Sequence, residues 1–143
     1  MNLTESDVRE RFSASPVARM ATCDEDGQPH LVPVTFAVQD DLVVIAIDHK
    51  PKRSMNLKRL RNIATNERVS LLVDHYDDDW SRLWWARADG SATVIADDAA
   101  KQTPLDLLAI KYDIYRQQRP AGPVISIEVD RWRGWAYSSP GDD

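Results

Sequence analysis

Residues 17–38 read VARMATCDEDGQPHLVPVTFAV, two apolar runs on either side of Asp24-Glu25-Asp26-Gly27. Asp-Gly tolerates the positive φ of a tight hairpin, so the two runs are expected to pair as antiparallel strands. The second run alternates with period two. Val32, Val34, Phe36 and Val38 fall on one face, and Leu31, Pro33, Thr35 and Ala37 on the other. Pro33 cannot donate to a ladder, which places this strand at a sheet edge or at a bulge.

Working outward, Thr4 and Asp7 open a short N-terminal helix with a weak capping box. Gln39-Asp40-Asp41 is a second turn. Leu42–Ile47 (LVVIAI) then reads as a strand buried on both faces. A helix follows, beginning near Ser54, with Leu57, Leu60 and Ile63 or Ala64 on its apolar stripe and Lys58, Arg59 and Arg61 outside it. RVSLLVDHY is a strand, Asp77–Asp79 an acidic loop, and RLWWARADGSATVI one long strand or a strand with a bulge at Gly90. Residues 97–118 are helical in composition, Pro104 being expected to start a second helix in its first turn. In the last strand Ile125, Ile127 and Val129 face inward and Ser126, Glu128 and Asp130 outward. About six strands joined mostly by turns, without regular strand–helix alternation, predict a mainly β chain: an antiparallel barrel with accessory helices, in a single domain over residues 1–143.

The longest apolar run has six residues, against about 20 for a membrane-spanning helix. The N-terminus lacks the apolar stretch of a signal peptide, and Cys23 has no second cysteine to pair with. Both point to a cytoplasmic protein away from membranes. His30, His49 and His75 do not form a metal-ligand spacing, so no metal site is expected.

Charge is unevenly placed. The chain carries −5, yet six of the twelve residues from Lys50 to Arg61 are basic and none is acidic. Lys50, Lys52 and Arg53 follow a buried strand and precede a helix N-terminus, whose free N–H groups and dipole favour an anion. Phosphate binding and simple ion pairing with the acidic remainder both fit this arrangement. RNA binding is disfavoured by the net charge. Adjacent strand residues Trp84 and Trp85 must point to opposite faces, so one of them looks into a cleft or interface.

These segments, in this order and over about Val17 to Ser138, resemble the pyridoxamine 5′-phosphate oxidase-like split β-barrel proteins, and within them the deazaflavin-using F420-dependent oxidoreductases called class B. The resemblance implies a homodimer with the cofactor in a groove between protomers. It implies that Val32, Pro33, Val34 and Thr35 lie along the deazaflavin ring, and that Lys50, Lys52 and Arg53 hold its phosphate. Asn56 and Arg59 would flank the tail, and the partner's Trp85, with residues near Trp132 and Arg133, would close the ring side. The expected activity is hydride transfer between F420 and a small organic molecule, with no catalytic side chain assigned. FMN is the alternative cofactor, and non-catalytic binding of F420, flavin or a tetrapyrrole the alternative function.

Overall fold

A computed structural model of the chain describes residues 1–47 and 57–138. Helix α1 (Glu5–Ala14) is capped by the Thr4 hydroxyl, which accepts from the Asp7 N–H, and it buries Val8 and Phe12. Seven strands follow: β1 (Ala18–Cys23), β2 (Pro29–Val34), β3 (Ala37–Gln39), β4 (Leu42–Ala46), β5 (Arg68–His75), β6 (Trp84–Ile95) and β7 (Val124–Ala136). Helix α2 (Lys58–Thr65) precedes β5, and α3 (Asp98–Lys111) and α4 (Asp113–Gln117) link β6 to β7. All pairings are antiparallel, in the order β2-β1-β5-β6-β7-β4-β3. The first and last strands of that order, β2 and β3, are consecutive in the chain and separated only by Thr35 and Phe36. The sheet therefore curls until its two edges meet at a two-residue seam, giving a split β-barrel.

The hairpin turns where Asp-Gly allows it. Gly27 has φ +81°, and the Asp24 carboxylate accepts from the N–H groups of Asp26 and Gln28. Those bonds, Gln28 first, hold Asp24 below the usual carboxylate range. Inside the barrel Met20, Phe36, Val43, Ile45, Leu71 and Ile127 are fully or almost fully buried. Phe12 packs between Phe36 and Trp132, with centroids at 4.9 and 5.4 Å. The other face of β4, with Val44 and Ala46, packs under Leu105 and Leu108 of α3, so this strand is apolar on both sides. The β6–β7 register shifts between Asp89 and Gly90, where a Cβ would stand 2.2 Å from the Glu128 carbonyl oxygen.

Three expectations change. The alternating segment 30–38 keeps its period, with Val34 and Phe36 in the core and Val32 and Val38 packed against it, but it is broken into two strands at the seam. Pro104 lies inside α3 instead of starting a helix. The helix continues through it because Pro104 and Leu105 are buried, and it ends at Tyr112, whose side chain is anchored elsewhere. Helix α2 starts at Lys58 after an extended Leu57 that packs on the core, so Ser54, which lies outside the described residues, is not its cap. Among the described residues no helix is long and apolar enough to cross a membrane.

Candidate functional site

Strand β2 is an edge strand, and as such leaves part of its backbone without ladder partners. Pro33 is exposed there, as its missing N–H requires. Of the four residues expected along a ring, Val32 is half-buried against the core and Val34 is 6% exposed within it. Pro33 faces the opposite side, and Thr35 lies beyond the strand with its hydroxyl 2.8 Å from the Tyr115 phenol. The strand can therefore offer backbone and the Pro33 ring more readily than a continuous side-chain surface.

Lys50, Lys52, Arg53 and Asn56 lie outside the described residues. Arg59 is described, and it is not the solvated helix residue that the apolar stripe suggests. It is half-buried, its Nε is sealed from water without a hydrogen-bond partner, and desolvation pulls its pKa down. One turn later Asn62 is buried and donates to the Thr22 hydroxyl at 3.0 Å, pinning α2 onto β1. Across the β1–β2 ladder from Thr22 stands His30, whose Nδ1 is likewise buried and unpartnered. His30 Nδ1 on β2 and Arg59 Nε on α2 are each buried with no partner among the described residues, so at each a polar ligand group would satisfy the atom. Lys58, by contrast, reaches Asp24 at 3.4 Å.

Trp84 and Trp85 do face opposite ways. Trp84 packs against the core, stacked on His75 and lying under Arg11 of α1. Trp85 lies on the outer face with Arg87 over its ring, and together with Leu72 and Trp135 it lines an apolar cleft of about 420 Å³. Trp132 is not available to any ring at that face. It is 6% exposed on the core side, edge-on to Phe12, and donates to Asp41 at 2.9 Å. Arg133, its neighbour, is exposed on the outer face.

Two tyrosines missed by pattern reading organise the seam. Tyr112 accepts from the Phe36 N–H at 3.1 Å and shares its proton between the carbonyls of Pro16 and Phe36, at 2.8 and 3.0 Å. Tyr115 holds Thr35. Only tertiary structure reveals them, since in sequence they are two aromatics in a polar helix. Among the described residues no group of three or more His, Cys, Asp and Glu could hold a metal ion.

The family model for pyridoxamine 5′-phosphate oxidase matches residues 4–136. The chain belongs to the pyridoxamine 5′-phosphate oxidase family. As a member of that family it shares its fold with an FAD-binding protein of Mesorhizobium loti, at TM-score 0.73 and 20% identity over 94% of this chain and 95% of that one. It likewise resembles the heme storage protein of Vibrio cholerae, at TM-score 0.69 and 14% identity over 92% and 93% of the two chains. A stretch of 62 residues is 39% identical to the 5a,11a-dehydrotetracycline/5a,11a-dehydrooxytetracycline reductase of Streptomyces rimosus. That stretch is 43% of this family member and 42% of the reductase, so the match spans about two fifths of the relative's length.

Proposed function

We propose that this chain is an oxidoreductase that binds the deazaflavin F420 and passes a hydride between it and a small organic molecule. The observation that carries the reading is Arg59, a half-buried guanidinium on α2 with a sealed Nε that has no partner among the described residues. A buried cation without an anion is unfavourable, and a phosphate and glutamyl tail would supply one. The basic residues Lys50, Lys52 and Arg53 would extend the same track. When bound, a deazaflavin supplies a two-electron hydride carrier, so the protein needs to position and shield it without a nucleophile of its own. Strand β2 offers backbone groups and the exposed Pro33 ring for that purpose, with the Tyr115–Thr35 bond fixing its C-terminal end. A second copy of the chain would close the groove, bringing Trp85 to the ring side.

The Streptomyces rimosus relative, a reductase by name, supports an oxidoreductase. The fold by itself does not choose between cofactors, since its members include FAD-binding and heme storage proteins. FMN is the competing ligand, with one phosphate and no anionic tail.

Calorimetric titration with F420 and FMN, on wild type and Arg59→Met, tests the reading. Tighter binding of F420 than of FMN is expected, weakened about tenfold to a hundredfold in the variant, the range for a lost charge-assisted hydrogen bond. Without ligand, Arg59→Met should melt no lower than wild type, because it removes a half-buried cation that has no anion among the described residues. Preference for FMN, or F420 binding indifferent to the substitution, would overturn the assignment.

A further inference from the structure

On the outer face of the barrel, β6 carries Trp85-Ala86-Arg87 and β7 carries Arg133-Gly134-Trp135. Antiparallel pairing aligns these mirror-image triplets: Trp85 stands opposite Trp135, and two residues on, Arg87 stands opposite Arg133. One rung of the ladder is thus a pair of indoles, and the next on the same face is a pair of guanidiniums, about 6.6 Å further along the strands. Like charges placed directly opposite one another repel, so the rung carries a cost that folding alone does not explain. Arg87 is partly compensated by Asp89 at 3.2 Å. Arg133 is exposed, and its side chain has no hydrogen bond or ion pair among the described residues. Asp74, the carboxylate on β5 opposite Trp85, is turned to Arg19 at 3.7 Å.

We infer that this double rung is a seat for a flat aromatic anion, a conjugated ring system bearing a carboxylate or enolate. The ring would lie against Trp135 in the cleft that Leu72 helps to line, beside Trp85, over whose ring Arg87 already sits at 5.5 Å, and the anionic group would reach Arg133. Indole faces take up a planar ring with a stacking gain beyond plain burial, and a forked guanidinium matches a carboxylate. The binding rests on sheet geometry alone. That the bound anion is the hydride acceptor rests on the function proposed above, because the same cleft would then flank the ring of the cofactor.

The probe is 2-naphthoate, with 2-naphthamide as its uncharged counterpart of nearly the same shape, titrated calorimetrically into the full chain with and without saturating F420. Wild type should bind the acid at least tenfold more tightly than the amide, and Arg133→Gln should lose about tenfold for the acid while leaving the amide unchanged. Because Arg133 is exposed and unpartnered, the variant should fold like wild type, which its melting curve checks. Failure of the wild type to bind the acid would sink the inference, as would equal binding by Arg133→Gln. One-for-one displacement of the naphthoate by F420 would also sink it, by giving the rungs to the cofactor. Arg133-dependent naphthoate binding by a chain that takes no F420 would uphold the seat and remove the proposed function.

Discussion

Lys111 ends α3 with its ammonium half-buried, 2.7 Å from the Ser15 carbonyl oxygen that accepts its proton and 3.7 Å from the centroid of the Phe36 ring. Burial pushes its pKa from 10.5 down to about 8. Taken alone that shift corresponds to about 3 kcal/mol. The hydrogen bond and the ring both favour the charged form, and part of the side chain is wet, which brings the expected contribution to about 1–2 kcal/mol. The sign follows from proton counting. Below about pH 8 both states hold the proton, and the folded state bears the whole cost of burying it. Between about 8 and 10.5 the unfolded chain keeps a proton that the folded chain has shed, so stability rises with pH. Urea unfolding of wild type and Lys111→Met at intervals from pH 7 to 10.5 isolates this group, because every other titration is common to both. The wild type should gain about 1–2 kcal/mol on the variant across the window. Curves that stay parallel would refute the assignment of a strained, desolvated ammonium.

Gly90→Ala would put a Cβ 2.2 Å from the Glu128 carbonyl, backbone that cannot step aside without opening the bulge, so thermal unfolding should reveal a loss of about 3 kcal/mol or more. Tyr112→Phe keeps the ring but strips the phenol that serves the Phe36 N–H and two carbonyls, and should cost about 1–3 kcal/mol in denaturant melts, with faster amide exchange at Phe36.

How much could be seen in the residues varied with how local the cause was. The hairpin at Gly27, the edge position of Pro33, the two-sided burial of β4 and the bulge at Gly90 each follow from one residue type or one period, and the structure has all of them. The seam was hidden because alternation runs through it unbroken: Val34 ends one edge strand and Phe36 lies in the link to the other, yet both point to the same core. Pro104 misled because burying its ring and the neighbouring Leu105 outweighs one missing N–H. At the candidate site, Arg59 looked solvated by its place beside an apolar stripe. Eight residues of helix cannot bury a whole face without drawing in its flanks. The mirrored Trp85-x-Arg87 and Arg133-x-Trp135 were legible in principle, but only once the register of two distant strands was known.

The seam has a mechanical meaning. A closed ladder can widen only by breaking hydrogen bonds, whereas this barrel is clasped at one line by two residues and a pair of phenols. Thr35 and Phe36 belong to both lips at once, so a load applied to the outer lip at β2 is delivered to β3 and, through Tyr112 and Tyr115, to the helices above β4. A molecule settling on β2 would brace the whole hoop. Binding at one edge would, by mass action, stabilise the closed ring as a whole.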